Sequence, residues 1–405
     1  MDDENRDIES ADLPFYYAMV VWGEKYVDML LDVALPCLLA SGNLPALNNL
    51  SESRFLIMTT PSDAERIAAS PVFKLLGTIV RAEFVDAPWI EGDLTFYLKA
   101  SRGHQEAARI AAEHGAYCVY LVPDILMSNG ALQFLVKMAR SGKQAVMVPG
   151  IRVVRESILR EVRSTYPSDS QGALNFSSRT LVDLGLRHIH ISDQRYNWEH
   201  PHFSKSPVIC TWNIPGEHGL LVRAFHLHPI LMRINDANSI KLLDSNTIDD
   251  EFVGLNFGNW DSIHIETDSD NIVLFSLTDR DSRIEPLQPN AASVEKLRAV
   301  AYSHLSNPLH RYYFTKGIKL HSKELNEKWA QVEKETGLLA YSALCVPGTG
   351  TPMIRHASEF LPYIKGDALT RELLMRIAKR LIWIPTKILS RIRLRIVELK
   401  RLYKR

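Results

Sequence analysis

The sequence predicts an open, mostly parallel α/β sheet of Rossmann-like character with helices on both faces. Short apolar runs, typical of strands buried on both faces, alternate with segments whose apolar residues recur every three or four positions. Glycines follow these helical segments at Gly42, Gly115 and Gly142. Because strands separated by helices are joined by right-handed crossovers, the alternation indicates parallel strands.

The first three strands are predicted at 17–22, 55–58 and 79–85. Gly23 ends the first of them and an apolar helical pattern follows. Ser62, with Glu65 three residues later, forms a capping box that predicts the start of the next helix.

The clearest strand is the apolar run 116–122, which Pro123 and Asp124 interrupt. Ser128 then offers an N-cap for a helix that Gly142 closes, and residues 144–148 return as a strand. This segment is the strongest evidence for the predicted sheet.

The pattern is less regular after residue 152. Pro, Asn, Trp and His crowd residues 193–229, as is typical of binding loops, and 262–277 alternates like strands, whereas 293–336 is helical with gaps. We therefore divide the chain into an acidic N-terminus, a catalytic domain, a helical extension and a basic amphipathic tail, at 1–14, 15–280, 281–370 and 371–405.

The chain has 405 residues and a formal net charge of zero, but the charge is unevenly spread. Residues 371–405 contain twelve Lys and Arg against two acids, a balance of +10, so the preceding residues carry −10. Such asymmetry predicts a charged partner for the tail.

Neither a secreted nor a membrane-spanning protein is expected. The four cysteines are far apart and form no CxxC, which indicates buried thiols and not a disulfide framework. The N-terminus is acidic, unlike a signal peptide, and no uninterrupted apolar run reaches about 18 residues. We expect a cytoplasmic protein that is peripheral at the inner face of the cell membrane.

Several common catalytic motifs are absent. There is no G-x-G-x-x-G after the first strand, no Walker A loop, no H-E-x-x-H and no G-x-S-x-G. These absences argue against a dehydrogenase, a P-loop NTPase, a zincin and a serine hydrolase.

Asp124 is the first candidate site residue. It directly follows a buried strand, at the carboxyl end where open α/β sheets bind ligands. A carboxylate there can hold a divalent cation that bridges two phosphates. The alternative is a loop aspartate that caps the following helix.

The stretch YCVYLVPDILMSNGALQFLVKMARSGKQAVMV resembles the central segment of GT-A-type glycosyltransferases, in particular bacterial family 2-like enzymes. The opening YAMVVWGEKYVDMLLDVALPCLLASGNLPAL resembles their first strand and helix, and HGLLVRAFHLHPILM with DSNTIDDEF resembles their distal half. The resemblance covers about residues 15–280. It implies a nucleotide-sugar donor, with Trp22, Gly23 and Glu24 near the base or ribose and Asp124 near the pyrophosphate. Trp22 is alternatively an ordinary core residue.

The chain departs from this family where Asp-x-Asp is usual, because Asp124 is the single acid there. A divalent cation, Mg²⁺ or Mn²⁺, is therefore a possible but not a required cofactor. Asp124 would share it with a histidine or act without it.

Three H-x-H pairs fall within 41 residues, namely His188/His190, His200/His202 and His226/His228. On a strand, this spacing places both imidazoles on one face, where they can chelate a metal. His226 and His228 are the best candidates because apolar residues flank them, and Asp244, Asp249 and Asp250 follow. Surface or hydrogen-bonded histidines and a solvated acidic loop are the alternatives.

An inverting transfer needs a general base to deprotonate the acceptor hydroxyl. Glu217 is a candidate because Gly216 and Gly219 permit close approach of a substrate, and Asp193 and Asp249 are rivals. A retaining enzyme would need none of them as a base.

In the tail, apolar residues from Ile377 to Leu402 recur at steps of three or four, and basic residues fill the remaining surface. A basic amphipathic helix of this kind lies in the headgroup region of anionic membranes, with a kink at Pro385. Packing on the body of the protein or pairing with a partner helix are the alternatives. The acidic body and the lack of interleaved aromatic residues argue against nucleic acid.

We therefore expect a membrane-associated glycosyltransferase that moves a sugar from a nucleotide-sugar donor to a cell-surface glycan or lipid-linked acceptor. A metal-dependent hydrolase built on the H-x-H pairs and a non-catalytic scaffold recruited to membranes are the alternatives.

Overall fold

The computed structural model describes residues 14–48, 50–241, 247–282, 286–303 and 305–345. The basic tail predicted at 371–405 and nearly all of the acidic N-terminus lie outside these residues. No helix among the residues described is long and apolar enough to cross a membrane.

The described residues form thirteen strands arranged in three sheets. In chain order the strands are β1 (Phe15–Val20), β2 (Arg54–Thr59), β3 (Arg81–Asp86), β4 (Tyr117–Leu121), β5 (Ile125–Met127), β6 (Ala145–Val148), β7 (Ile151–Val154), β8 (Ile209–Asn213), β9 (Gly219–Ala224), β10 (His228–Met232), β11 (Ile263–Ile265), β12 (Leu274–Thr278) and β13 (Ile318–His321).

The large sheet has seven strands in the order β11-β6-β10-β4-β1-β2-β3. Ala18 of β1 is in register with Leu56 of β2 on one side and with Tyr120 of β4 on the other, and both pairings are parallel. Only β10 runs antiparallel to its neighbours. Every residue of β1 and β4 is buried, as expected of central strands covered on both faces. The prediction of an open, mostly parallel α/β sheet is confirmed.

Two three-stranded sheets flank the large one, with the orders β5-β12-β7 and β13-β9-β8. The first directly continues the β4 segment, because β5 begins at Ile125, the residue after Asp124. The second contains the hairpin of β8 and β9, to which β13 adds an antiparallel strand.

The described residues also form thirteen α-helices. They are α1 (Glu24–Met29), α2 (Leu35–Leu38), α3 (Pro61–Ala69), α4 (Pro71–Ile79), α5 (Phe96–Glu113), α6 (Ala131–Arg140), α7 (Arg155–Thr165), α8 (Ser178–Arg187), α9 (Ile191–Gln194), α10 (Val253–Asn256), α11 (Val294–Ala301), α12 (Pro308–Phe314) and α13 (Glu327–Leu344). A π-helical segment, Leu30–Ala34, joins α1 to α2.

Two predicted helix caps are wrong in detail. Thr60, not Ser62, caps α3 by accepting a hydrogen bond from the Asp63 amide. The Ser128 hydroxyl instead accepts from the Val273 amide at 3.0 Å, and Gly130 precedes α6. The Ser128 hydroxyl thus bonds the amide just before β12 and does not cap α6. A buried amide needs such a hydrogen-bond partner.

The region predicted as a helical extension also contains a strand. α11 and α13 are helices as expected, but β13 lies between them and pairs with β9. A second apolar cluster, which includes Trp212, Phe225, Phe314 and Trp329, joins this region to the β8–β9 hairpin. The boundary proposed at residue 280 stays a prediction.

Cys37, Cys118 and Cys210 are buried thiols outside any disulfide, and Cys345 is half-buried. Burial raises the pKa of Cys37 and of Cys118 to about 12. The expectation of buried thiols without a disulfide framework is confirmed.

Candidate active site

The large sheet has its topological switch point between β1 and β4. From β1 the chain proceeds to β2 and β3 on one side, whereas β4 lies on the other side. In open α/β sheets, ligands bind outside the carboxyl ends of strands at such a point. The two segments that leave these ends are Trp22–Gly23–Glu24–Lys25 and Pro123–Asp124. With His228 and Asp249, which lie at the same edge, we call them the switch-point site.

Gly23 turns the chain sharply after β1. Its φ is +77°, a conformation that other residues rarely adopt. Its amide donates to Oδ2 of Asp63 at 2.8 Å, and its carbonyl accepts from the Tyr26 and Val27 amides at the start of α1. The turn therefore directs Glu24 and Lys25 into the first turn of a helix at the carboxyl edge.

Trp22 belongs to a group of aromatic side chains at this edge. Its ring centroid lies 4.8 Å from that of Phe96, which also contacts Tyr26 at 5.2 Å and Tyr97 at 5.7 Å. Phe96 and Tyr97 are 43% and 52% exposed, which is unusual for such large rings. Trp22 is half-buried and packs against the core, so it is not simply a core residue. We call these four residues the aromatic group.

Asp124 is held by its backbone against the neighbouring sheet. Its carbonyl accepts from the Leu277 amide at 2.7 Å, which fixes the segment between β4 and β5 beside β12. Its side chain is half-buried, and its charge contributes to raising the pKa of His228. Asp124 and His228 are therefore within electrostatic range of each other.

His228 reaches this edge because β10 is antiparallel. The amino end of β10 lies beside the carboxyl end of β4, and His228 is its first residue. Its Nδ1 lies 3.3 Å from Oδ1 of Asp249, and its Nε2 lies 3.2 Å from the carbonyl oxygen of Tyr120. Burial lowers the pKa of His228, but its hydrogen bond to Asp249 and the charge of Asp249 outweigh that effect, so the net shift is upward.

Asp249 lies on a second π-helical segment, Ile248–Phe252. Burial opposes its ionisation, but the hydrogen bond and charge of His228 leave the net pKa of Asp249 lowered. Opposite shifts of the two pKa values describe an ion pair of imidazolium and carboxylate. Asp249 is consequently a weak base in this arrangement.

His104 was not anticipated from the sequence. It lies on α5, next to Gly103, where a Cβ atom would be 2.6 Å from Cγ2 of Val20. One of its ring nitrogens bonds the backbone of Leu121, and its buried Nε2 has no partner within the described part of the chain. Burial, together with the charge of His228, lowers the pKa of His104 to about 4, so its ring is neutral. The close packing of α5 on β1 brings His104 to the switch-point site.

A cluster of charges adjoins Asp124. Asp279 follows β12, two residues after Leu277, and it pairs with Lys25 and with Arg155, whose Nε lies 2.6 Å from its Oδ1. Arg155 also pairs with Glu156 at 3.4 Å, so the two cations of this cluster are balanced by two carboxylates. The cluster lies beside the loop that carries Gly23.

Asp193 and Glu217 form no hydrogen bond or ion pair with Asp124, His228 or Asp249 of the switch-point site in the described part of the chain. Both oxygens of Asp193 accept from Arg152, one from its amide and one from its Nη1, each at 2.8 Å. Glu217 is in the turn of the β8–β9 hairpin, at the opposite end of β9 from His226 and His228. β9 has six residues, which span about 17 Å at roughly 3.3 Å per residue. The three candidate bases, Asp193, Glu217 and Asp249, are therefore not brought together.

Asp193 and Glu217 instead line a cavity of about 510 Å³, one wall of which is the β8–β9 hairpin. We call it the hairpin cavity. The opposite wall is formed by α8, α9 and the loop that follows them.

The H-x-H pairs do not form chelating sites. Ser157 and Glu161 contact the ring nitrogens of His188, whereas those of His190 face Ser192 and the carbonyls of Asp279 and Arg280. The amide of His202 donates to Nδ1 of His200. Nε2 of His226 faces the Leu305 carbonyl, whereas the ring nitrogens of His228 face Asp249 and the Tyr120 carbonyl. Nδ1 of His202 has no hydrogen-bond partner among the described residues. This finding disfavours the hydrolase alternative.

One group in the described part of the chain has metal-ligand geometry. The ligand atoms of Asp268, Asp270 and His321 lie within 4.8 Å of one another. Nε2 of His321 is 2.8 Å from Oδ1 of Asp268, while Arg179 binds both oxygens of Asp270. A divalent cation could be held there only if Arg179 gave way, because the arginine already occupies the Asp270 carboxylate.

No family model matches this chain. No curated protein matches it either. Among solved structures, mouse xyloside xylosyltransferase 1 in its apo form is similar at 10% identity and a TM-score of 0.25, over 38% of this chain and 59% of that chain. S. aureus TarS is similar at 8% identity and a TM-score of 0.22, over 45% of this chain and 32% of that chain.

The mannosyltransferase PcManGT from Pyrobaculum calidifontis, solved with GDP-Man and Mn²⁺, is similar at 11% identity and a TM-score of 0.28, over 97% of this chain and 88% of that chain. This chain thus spans less than two thirds of the first two structures. Because all three TM-scores are low, the fold class rests on the order and direction of the strands, and function rests on the residues of the site.

Proposed function

We propose that this protein is a glycosyltransferase that binds a nucleotide-sugar donor across the switch-point site. One observation carries the proposal. The Gly23 turn and Asp124 leave adjacent parallel strands at the topological switch point, the place where open α/β sheets bind nucleotides.

The side chains around that point match the three parts of such a donor. The exposed faces of Phe96 and Tyr97 suit stacking of a base. Lys25 and Arg155 supply the ammonium and guanidinium donors that suit a diphosphate. Asp124 follows β4, the parallel neighbour of β1, and suits the ribose or a cation that bridges the phosphates.

We assign the ion pair a role in departure of the nucleoside diphosphate. Glycosyl transfer breaks the bond between the anomeric carbon and a phosphate oxygen, so negative charge develops on that oxygen. The His228 imidazolium would stabilise this charge through its electrostatic field, since both of its N–H groups already face the Asp249 carboxylate and the Tyr120 carbonyl. In this role Asp249 acts as a positioning residue, and a base for the acceptor would come from Asp193 or Glu217.

A divalent cation fits this site only through oxygen ligands. Both nitrogens of His228 and Nε2 of His226 already face oxygen atoms, which leaves the carboxylates of Asp124 and Asp249 as the ligands of choice for Mg²⁺ or Mn²⁺. When bound, such a cation would neutralise charge on the donor diphosphate.

Thermal unfolding of the purified protein with UDP-, GDP-, CMP- and dTDP-sugars, each with and without Mn²⁺, tests donor binding. Ligand bound to the folded state raises the midpoint, and one nucleotide should do so more than the others. Asp124→Asn should abolish that increase. Asp261→Asn is the matched control, since Asp261 precedes β11 and lies at the opposite edge of the sheet. If millimolar amounts of every nucleotide leave the midpoint unchanged, the proposal is wrong.

We also propose that residues 371–405 attach the enzyme to an anionic membrane surface, where a lipid-linked or cell-surface acceptor would be reached. The support is the amphipathic sequence pattern, with about 1 kcal/mol expected for each basic residue near an anionic leaflet. The full chain should sediment with vesicles of anionic lipid and not with phosphatidylcholine vesicles. Replacing Arg391, Arg393 and Arg395 together by Gln should reduce this binding. Equal binding to both vesicle types would exclude it.

A further inference from the structure

The hairpin cavity has an apolar floor and a polar rim. Ile189, Ile209 and Leu220 are among the apolar side chains that line it, and Tyr196 adds an aromatic ring. Its volume of about 510 Å³ lies in the range of cavities that bind small organic ligands. An apolar floor under a polar rim suits a ligand with one C–H face and several hydroxyl groups.

The rim offers carboxylate oxygens that accept no hydrogen bond from any other described residue. Oε1 of Glu217 accepts from Asn326 at 2.9 Å, and Oε2 of Glu199 accepts from Asn213 at 2.8 Å. The second oxygen of each carboxylate accepts no hydrogen bond from the residues that the structure describes. Each acid is thus held in place by one oxygen and presents the other to a ligand hydroxyl.

His200 supplies a donor at the same rim. Its Nδ1 accepts from the His202 amide at 3.2 Å, which places the proton of the neutral ring on Nε2. Burial, followed by the charge of His202, lowers the pKa of His200, so the neutral form is favoured. Its Nε2–H has no acceptor in the described parts of the chain and is available to a ligand oxygen.

The charge of the cavity disfavours anions. Asp193, Glu199 and Glu217 line it, whereas neither Lys nor Arg is among its described lining residues. Arg152 and Lys328 compensate Asp193 and Glu217 from outside the cavity, and no cation in the described ranges forms an ion pair with Glu199. A phosphate or carboxylate ligand would meet net negative charge and no guanidinium or ammonium donor.

We propose that the hairpin cavity binds an uncharged sugar unit through the free oxygens of Glu199 and Glu217 and the Nε2–H of His200. Its role as the acceptor site, and hence a neutral glycan as acceptor, rests on the proposed glycosyl transfer. Sugar binding itself does not depend on that transfer.

The cavity adjoins the switch-point site through β7. Arg152, the partner of Asp193, is three residues before Arg155, the partner of Asp279. Three residues of strand span about 10 Å. The Arg152 guanidinium also interacts electrostatically with Tyr97 of the aromatic group. A glycan seated in the cavity therefore extends toward the donor over a short path.

Saturation-transfer NMR and calorimetry on the full chain test this inference, with methyl glucoside, methyl galactoside, methyl mannoside and N-acetylglucosamine as probes. Glucuronate and glucose 6-phosphate are the charged counterparts. At least one neutral sugar should bind, and the two anions should bind at least about ten-fold more weakly. The variants Glu217→Gln, Glu199→Gln and His200→Ala should each weaken binding by about ten-fold, the cost of one hydrogen bond to a charged or buried group.

Glu335→Gln is the matched control, because Glu335 is exposed on α13 and bonds only to Gln331 among the described residues. It should bind sugar like the wild type. Equal thermal midpoints across the variants would show that each is folded. The inference is overturned if no neutral sugar binds, if the anions bind as well, or if the three cavity variants bind like the control.

These outcomes are separable from those of the donor experiment. Sugar binding without a nucleotide-induced rise in the midpoint would leave the cavity as a carbohydrate site and remove the transferase proposal. A nucleotide-induced rise in the midpoint without sugar binding would leave the transferase proposal standing and remove the cavity as a carbohydrate site.

Discussion

The imidazole of His228 bridges the Asp249 carboxylate and the Tyr120 carbonyl, at 3.3 Å and 3.2 Å. Two acceptors on opposite nitrogens favour a ring that carries both protons. An antiparallel strand thereby places an imidazolium–carboxylate pair at the carboxyl edge of an otherwise parallel sheet.

Asp249→Asn should destabilise the protein by about 1 kcal/mol. The variant removes the charged partner of a half-buried imidazole, and hydrogen bonds to charged groups contribute roughly 1.5–3 kcal/mol. The expected loss is smaller because the Asp249 side chain is 45% exposed and solvent screens the pair. Urea unfolding at neutral pH measures this loss of stability. Asp261→Asn is the control, and its change in the free energy of unfolding should be near zero. A variant as stable as the wild type would show that the pair adds nothing.

Gly103→Ala should destabilise the protein by about 1–3 kcal/mol through overpacking. The new Cβ would lie 2.6 Å from Cγ2 of Val20 and would push α5, with His104, away from β1. Gly77→Ala is the control, because Gly77 is on α4 and a Cβ added there would have no neighbouring atom within 4 Å. That change should be neutral or stabilising by up to about 1 kcal/mol, since alanine favours helices. Equal effects of the two changes in urea unfolding would contradict the close packing of α5.

The protein should lose stability in acid partly through Glu161 and Asp183. The hydrogen bonds of Arg187 and His188 lower the pKa of Glu161 below its ordinary 4.5. Burial raises the pKa of Asp183, but the hydrogen bonds of Arg187 and His218 lower it, and the net pKa is below the ordinary 3.8. Depressed pKa values in the folded state stabilise it above about pH 4.5, and that stabilisation is lost as the pH falls through the lowered values.

Arg187→Gln should therefore destabilise the protein at pH 7 and do so less as the pH falls below 4. Urea midpoints of the variant and the wild type between pH 3 and pH 7 would show the difference shrinking. A difference that is constant over this range would exclude the proposed linkage.

Cys345 should be the fastest native thiol to react with an aromatic disulfide reagent. Cys37, Cys118 and Cys210 are buried and their thiol pKa values are raised by burial, to about 12 for the first two. Burial also raises the pKa of Cys345, but this thiol is only half-buried, so the reagent can reach it. Cys345→Ser should remove the rapid phase, and urea should expose the remaining three thiols. A rapid phase that persists in the variant would show that a core thiol is accessible.

The sequence by itself determined the open α/β sheet and the position of Asp124 at the end of its central strand. Both follow from local patterns, because strands buried on two faces must be continuously apolar and the chain must break at the carboxyl edge. β1 and β4 lie where the apolar runs predict them, within two residues at each end.

Only the tertiary structure decided which side chains meet at that edge. His104 is on a helix before β4, His228 starts a strand more than a hundred residues later, and Asp279 follows another sheet. No local period encodes such long-range pairing, since strand order depends on the packing of the whole chain. For the same reason Asp193 and Glu217, equal candidates with Asp249 in the sequence, belong to a separate cavity.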